Sequence, residues 1–204
     1  GLEELLKRNI KQNRLIFTSN LKKAVLDSNI VFICVGTPTK KNSNSADLKN
    51  VFEVARQLKK YITKYKIIIT KSTVPVTTGD QIEKILKNQK NKKLFDVVSN
   101  PEFLREGEAI RDFIYPDRVI IGTDSKKANK IMKSLYMPII KKNSRYFNTS
   151  RRGAELIKYA SNAFLATKIT FINEIANLCE KTGVDIKDIS LGMGSDQRIG
   201  DRFL

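Results

Sequence analysis

The chain has 204 residues, of which 41% are hydrophobic, so it can bury the core of one large domain or of two small ones. No apolar run is as long as a membrane span, and we expect no membrane contact. The chain contains no histidine, which excludes the commonest general base and metal ligand. We therefore expect no metal site, and proton transfer must fall to Lys, Asp, Glu, Tyr or water.

The net charge of +17 raises the question of a nucleic-acid partner. The lysines are scattered in pairs over predicted helices and loops, as in Lys59-Lys60 and Lys126-Lys127. No recognition helix or aromatic stacking motif accompanies them. The sequence therefore predicts a solvated basic surface and no nucleic-acid partner.

Two cysteines, Cys34 and Cys179, lie in an apolar strand pattern and in a helical pattern, with no spacing typical of a pair. We expect both to be buried, in a reducing, cytoplasmic compartment. The chain opens on Gly1-Leu2-Glu3-Glu4 rather than on Met, and this pattern is typical of a helix interior. We expect a truncated or excerpted protein.

Strand and helix patterns alternate over the first two thirds of the chain. Strands are predicted at 16–17, 29–35, 66–70, 94–98 and 118–122. Helices are predicted at 1–12, 21–27, 47–64 with Asp47 as the N-cap, 78–88 and 125–135. This alternation predicts an α/β fold with a doubly wound parallel sheet, whose ligands bind at the carboxyl ends of the strands.

The pattern changes after a polar break at 143–150. Apolar residues then recur at helical spacing from about Gly153 to Thr182, and Gly183 is suited to end the helix. A helix of about 30 residues is unusually long for a globular protein, so we expect it to bridge domains or subunits.

Polar turns follow three of the predicted strands. Gly36-Thr37-Pro38-Thr39 and Lys71-Ser72-Thr73-Val74-Pro75 offer hydroxyls and backbone N–H groups to a phosphate, a ribose or a water, although ordinary turns use the same residues. Glu102 and Glu106 would share a face if their segment is helical. Two carboxylates in a cleft suit acid–base chemistry or hydroxyl binding, although glutamates are more often solvated.

Two further candidates lie in the C-terminal part. Lys158 and Asn162 are four residues apart, near the apolar face of the long helix. Because an unpaired buried ammonium is costly, Lys158 either reaches solvent or has a function. Arg198 lies in a glycine-rich segment that suits an anion but could equally be a flexible tail.

Taken in order, these motifs resemble the UDP-glucose/GDP-mannose dehydrogenase family. The resemblance covers essentially the whole chain and rests on 36–39, 71–75, 100–122, 158–174 and 196–200. Residues 196–204 are similar to the UDP-glucose branch of the family. The resemblance implies the NAD-dependent, two-step oxidation of UDP-glucose to UDP-glucuronate. It also implies a Rossmann-like NAD-binding domain at 1–148, followed by the start of a central domain at 149–204 whose long helix forms a homodimer.

The resemblance also implies roles for individual residues. NAD contacts are implied for Val35, Gly36, Thr37, Pro38, Thr39, Ser72, Thr73, Val74 and Glu106. Contacts with the sugar nucleotide are implied for Glu102, Phe103, Leu104, Arg105, Glu106, Lys158, Asn162 and Arg198. Catalytic roles are implied for Thr73 and Glu102, which would handle a water, with Glu102 as the acid/base. Lys158 would stabilise a developing negative oxygen, and Asn162 would help to hold the substrate.

Some parts of the family pattern do not occur in the sequence. These are the Gly-x-Gly-x-x-Gly turn for the NAD pyrophosphate, the cysteine nucleophile of a Gly-Gly-Ser-Cys segment and the C-terminal UDP-binding domain. Arg151-Arg152-Gly153 is also unusual at the start of the long helix. We therefore expect that this chain alone does not complete the oxidation. A non-catalytic remnant that dimerises through the long helix is the alternative.

Overall fold

The computed structural model describes residues 1–88, 94–140 and 144–204, which form two compact units, Gly1–Lys158 and Tyr159–Leu204. The strands within these ranges are β1 Ile30–Ile33, β2 Lys66–Thr70, β3 Phe95–Ser99, β4 Arg118–Gly122 and β5 Arg145–Thr149. The helices are α1 Leu2–Lys11, α2 Leu21–Asp27, α3 Lys49–Lys59, α4 Thr78–Leu86, α5 Ala109–Ile114, α6 Lys126–Tyr136, α7 Arg151–Thr182 and α8 Ile186–Gly194.

The five strands form one sheet in chain order, and most of its pairs are parallel. Parallel pairing joins β1 to β2, β2 to β3, and β4 to β5. The α/β fold class is confirmed. However, β3 and β4 pair in the antiparallel sense, at Ser99 and Gly122, so the sheet departs from the predicted parallel arrangement at this one pair. An apolar strand pattern is compatible with either direction, so the sequence could not reveal this.

Helices cover both faces of the sheet, as a doubly wound fold requires. Ile68 of β2 is fully buried and belongs to the apolar cluster that includes α3 and α4 residues. Its neighbours Ile67 and Ile69 point to the other face, where they join the cluster that includes α6 residues. Since burying one such side chain contributes about 1.5–3 kcal/mol, these two clusters hold the sheet between its helices.

Three predicted elements differ from the structure. Ile16 and Phe17 are exposed and form no strand. The polar break predicted at 143–150 contains strand β5 instead. Most side chains of β5 are exposed, so its sequence lacks the apolar pattern of a buried strand. Residue 143 lies outside the described residues. Helix α3 has Leu48 as its N-cap and ends at Lys59, although Asp47 Oδ1 still accepts a hydrogen bond from Lys49 N at 2.9 Å.

The second unit contains most of α7, helix α8 and the segment to Leu204. Gly183 follows α7 with a φ of 71°, and Val184 N donates to Cys179 O, so the predicted end of the long helix is confirmed. Asp185 caps α8 by accepting from Lys187 N at 2.8 Å. None of the helices in the described residues is both long enough and apolar enough to cross a membrane.

The first turn of α7 lies so close to β4 that Gly122 cannot carry a side chain. A Cβ at this position would lie 2.6 Å from Ala154 Cβ, 2.8 Å from Ser150 O and 2.9 Å from Arg151 Cα. Two of these contacts are with backbone atoms, which cannot rotate away. Glycine is therefore required where the strand and the helix meet.

We expect Gly122→Ala to lower the free energy of unfolding by about 1–3 kcal/mol, because overpacking forces β4 and α7 apart. Urea denaturation measures this change. Gly192→Ala is the matched control, because a Cβ there meets no atom within 4 Å. Equal stability of the two variants would contradict the close contact at Gly122.

Candidate active site at the carboxyl ends of the strands

Two polar turns lie side by side where β1 and β2 end. Ser72 Oγ donates to Val35 O at 2.6 Å, and Thr37 Oγ1 donates to Thr73 O at 2.9 Å. Lys71 N and Ser72 N both bond Ile33 O. The structure therefore brings together the two turns to which cofactor contacts were assigned. It also shows that the hydroxyls of Ser72 and Thr37 join the turns to each other.

These turns differ in how much of each residue faces solvent. Gly36, Pro38 and Thr39 are exposed, Val35, Thr37, Ser72 and Thr73 are half-buried, and Val74 is buried. A Cβ on Gly36 would meet no atom within 4 Å, so its backbone borders open space. A ligand can therefore approach the backbone of the first turn closely.

Glu102 and Lys158 form the charged pair of the site. Lys158 Nζ lies 3.2 Å from Glu102 Oε1, and the Lys158 side chain is only 8% exposed. The ammonium also lies 5.1 Å from the ring centroid of Phe103. Lys158 therefore does not reach solvent, and its buried charge is compensated by a carboxylate and by an aromatic face.

Glu102 and Glu106 would share a face only in a helical segment, and the structure does not meet this condition. Residues 101–105 are not helical, and helix α5 begins only at Ala109. Glu102 Oε2 accepts from Leu104 N at 2.6 Å, a local bond that replaces helical bonding. The structure thus places Glu102 beside Lys158, whereas Glu106 is exposed.

An ion pair between Arg105 and Asp112 joins the segment after Glu102 to helix α5. Asp112 Oδ2 accepts from Arg105 N at 2.9 Å and from its Nε at 3.0 Å, while Oδ1 accepts from Nη2 at 2.7 Å. These bonds lower the pKa of Asp112 to about 2. The substrate contact assigned to Arg105 must therefore compete with this pairing.

Lys71, directly after β2, carries a second ammonium. Its Nζ donates to Asn100 Oδ1 at 3.2 Å and to Tyr136 Oη at 3.4 Å, and Tyr136 also donates to Asn100 Oδ1. Burial lowers the pKa of Lys71 to about 8, although the nearby charge of Glu102 opposes the shift. Sequence reasoning treated Lys71 only as part of a turn.

Glu155 was missed altogether by sequence reasoning. It is 3% exposed, yet its carboxylate accepts hydrogen bonds from Thr77 N, Gly79 N and Ser99 Oγ at 2.8, 2.7 and 3.2 Å. Burial raises the pKa of Glu155, and the three donors oppose this shift because they stabilise the charged form. In the sequence, the one indication was its position three residues before Lys158, which puts both side chains on the same face of the helix.

A small recess lies among these groups. It is lined by Thr70, Ser72, Val74, Ser99, Pro101, Glu155 and Lys158 and has a volume of about 10 Å³, which is room for one water at most. Thr70 Oγ1 is the one buried side-chain oxygen or nitrogen of the described residues that lacks a hydrogen-bond partner. The recess is therefore a place where a water can satisfy this hydroxyl.

The start of α7 is explained by ion pairs. Helix α7 begins at Arg151, two residues before the prediction. Arg151 Nη2 lies 2.8 Å from Asp80 Oδ1 and 2.5 Å from Glu83 Oε2, and Arg152 Nε lies 2.7 Å from Asp80 Oδ2. The two arginines that were unusual in sequence therefore attach the first turn of α7 to α4.

The other assigned residues lie elsewhere. Asn162 and Arg198 belong to the second unit, where Asn162 is exposed and Arg198 forms a local ion pair with Asp196 at 2.6 Å. Cys179 is buried as predicted. The prediction that Cys34 is buried was wrong, because β1 ends at Ile33 and leaves Cys34 exposed at the edge of the sheet.

Two family models together match most of the chain. Residues 1–140 match the NAD binding domain of the UDP-glucose/GDP-mannose dehydrogenase family, and residues 152–204 match the central domain of the same family. The chain therefore belongs to the UDP-glucose/GDP-mannose dehydrogenase family.

Individual relatives support the assignment. The chain is 49% identical to a UDP-glucose 6-dehydrogenase of Rhizobium meliloti and 46% identical to one of Pseudomonas aeruginosa, in each case over its whole length. It spans about half of these curated relatives, 47% and 46%. Among solved structures, a UDP-glucose dehydrogenase of Pyrobaculum islandicum superposes over the whole chain and 47% of its own, with a TM-score of 0.92 and 38% identity. A GDP-mannose dehydrogenase of Pseudomonas aeruginosa superposes over 97% of the chain and 46% of its own, with a TM-score of 0.91 and 34% identity.

The Arg105–Asp112 pair makes stability depend on pH in a defined direction. The pKa of Asp112 is lower in the folded protein than the value of about 3.9 for an unfolded chain. Its contribution is therefore complete above about pH 5 and is lost as the pH falls towards 2. We expect the difference in melting temperature between the wild type and Asp112→Asn to be constant above pH 5 and to shrink below it. A difference that stays the same down to pH 2 would contradict the pairing.

Proposed function

We propose that the protein that carries this chain oxidises UDP-glucose to UDP-glucuronate with NAD as the hydride acceptor. The names of the relatives supply the substrate, since those at 49% and 46% identity are UDP-glucose 6-dehydrogenases. The observation that carries the proposal is the Lys158–Glu102 pair, 3.2 Å apart, at the strand ends beside the two polar turns. A cytoplasmic location stays a prediction.

The residues of the two turns fit a dinucleotide. The turns lie at the carboxyl ends of parallel strands, where open α/β sheets bind their ligands. The backbone at Gly36 borders open space, and the exposed Thr39 adds a hydroxyl. We propose that Val35 to Thr39 and Ser72 to Val74 hold the cofactor, with Glu106 at the edge of this surface. The cofactor supplies the site that accepts a hydride.

Lys158 and Glu102 would divide the remaining chemistry between them. The Lys158 ammonium would donate a hydrogen bond to the sugar oxygen that becomes negative as the hydride leaves. A short-range ammonium is effective there because the side chain is buried and water cannot screen it. Glu102 would accept or return the proton, either directly or through a water held together with Thr73. When no substrate is bound, the pair neutralises itself.

Other assigned residues would bind the sugar nucleotide around this pair. Phe103 has Arg118 on its ring, with the guanidinium carbon 4.2 Å from the ring centroid, and this contact keeps the aromatic face beside Lys158. Leu104 and Arg105 lie at the exposed rim. Asn162 and Arg198 belong to the second unit and are both exposed. On the resemblance to the family we propose them as further substrate contacts, Arg198 with the substrate of a neighbouring subunit.

The central test is substitution of Lys158 in the protein that carries this chain. We expect Lys158→Met to lower kcat for UDP-glucose by a factor of ~10²–10³, the usual effect of losing one stabiliser of transition-state charge. NADH formation, followed by absorbance, measures the rate. Lys133→Met on the exposed surface of α6 is the matched control and should retain the wild-type rate.

The same assay tests the substrate. We expect NADH to form with UDP-glucose and not with GDP-mannose, and two NADH to form for each UDP-glucose that is consumed. Preference for GDP-mannose would contradict the proposed substrate. An unchanged rate in Lys158→Met would instead contradict the proposed site.

We further propose that the protein forms a homodimer through α7. Phe164, Phe171 and Leu178 repeat at intervals of seven residues and therefore lie along one face of the helix. Their exposed fractions are 66%, 48% and 56%, which is large for apolar side chains of this size. A second copy of the same helix is the partner proposed for this face.

Substitution in this row tests the dimer. We expect Phe171→Glu to convert the dimer to a monomer, because two charged side chains would be buried without partners. Size-exclusion chromatography with light scattering measures the mass. Asn173→Glu adds the same charge about 200° around the helix and should leave the dimer intact. A monomeric wild type, or a dimer in both variants, would overturn this proposal.

A further inference from the structure

Two connections join α7 to the end of β3 and to the segment that follows it. The first is the hydrogen bond from Ser99 Oγ to Glu155 Oε1 at 3.2 Å. The second is the ion pair between Glu102 and Lys158, also 3.2 Å long. Each connection uses residues that are three positions apart in its own segment, so the distance between the segments is fixed at two points.

The first connection is the more rigid of the two. Glu155 accepts from Thr77 N and Gly79 N as well as from Ser99, and it is 3% exposed. Thr77 is the N-cap residue of α4, but its own side chain makes no capping bond and its φ is 79°. Glu155 from α7 therefore supplies the cap that α4 lacks.

The space around this carboxylate leaves little freedom. A Cβ on Gly79 would lie 3.0 Å from Glu155 Oε1 and 3.2 Å from Ser99 Oγ, so the carboxylate packs directly against backbone. All three hydrogen-bond partners of Glu155 donate to it, which suits an ionised carboxylate because that group can only accept. A neutral amide at this position would turn an NH₂ group towards at least one of these donors.

We infer that Glu155 is a positioning residue, which holds Lys158 at the distance from Glu102 that the proposed reaction needs. It acts through the first turns of α7. Its hydrogen bonds are to Thr77, Gly79 and Ser99 and not to Lys158 or Glu102. Only the effect of this positioning on catalysis rests on the proposed function. The positioning itself is a property of the folded chain and can be measured without any activity.

The direct test is the reactivity of each lysine in the purified chain. Timed acetylation with an N-hydroxysuccinimide ester, read by mass spectrometry, gives a rate for every lysine. In the wild type, Lys158 should react slowly because it is 6% exposed. We expect Glu155→Gln to raise the rate at Lys158 severalfold, because α7 is no longer held against Ser99.

Two internal reporters separate local release from unfolding. Lys66 is fully buried and donates to Ser28 O, so it reacts quickly only if the first unit unfolds. Lys133 is exposed and should keep its rate in every variant. In Glu155→Gln we expect Lys66 to stay protected while Lys158 becomes reactive.

Asp80→Asn is the matched control variant. It removes the carboxylate of α4 that pairs with both Arg151 and Arg152 of α7, although Arg151 keeps its ion pair with Glu83. This variant should lower the melting temperature without exposing Lys158. If Glu155→Gln does not fold, Ser99→Ala removes one of its three donors and should give a smaller rise at Lys158. An unchanged rate at Lys158 in the folded variants, or an equal rise in Asp80→Asn, would overturn the inference.

The catalytic consequence is tested separately in the protein that carries this chain. We expect Glu155→Gln to lower kcat with little change in the KM for NAD, and to have little further effect once Glu102→Gln is present. If the wild type does not oxidise UDP-glucose, the proposed function fails and the acetylation result is unaffected. Additive effects of the two substitutions would contradict positioning through the Glu102–Lys158 pair.

Discussion

The buried carboxylate of Glu155 is the interaction on which the geometry of the site depends. It accepts hydrogen bonds from the start of α4 and from the end of β3, and thereby joins three elements at one point. Because a buried charge with fewer donors would be less stable, each of the three bonds helps to hold these elements together. Gly79 and Gly122 allow this by letting α7 approach the backbone of α4 and of β4.

Charge compensation explains why so many ionised groups can lie at one edge of the sheet. Glu102 balances Lys158, Asp80 and Glu83 balance Arg151, and Asn100 with Tyr136 solvates Lys71. Each pair is contributed by different elements, so loss of one partner leaves a charge in a poorly solvated position. Each of these charges is therefore compensated within the fold itself.

The sequence predicted the strands at 66–70 and 118–122, the helix at 21–27 and the length of α7, because apolar periodicity reports burial directly. It missed β5, whose exposed polar residues lack that signal, and the antiparallel pairing of β3 with β4, since strand direction leaves no local pattern. In the site, local motifs pointed to Glu102 and Lys158. Glu155 could not be found in this way, because its three donors come from residues 56 to 78 positions away.

A crystal structure of the protein that carries this chain, with NAD and a UDP-sugar bound, would show whether Lys158 and Glu102 contact the reacting oxygen of the sugar. If the reaction takes place beside the Lys158–Glu102 pair, Lys158 Nζ and Glu102 should both lie within hydrogen-bond distance of the oxygen on the sugar carbon to be oxidised. Glu155 should keep its bonds to Thr77, Gly79 and Ser99 unchanged. A sugar bound away from an intact Lys158–Glu102 pair would contradict the account.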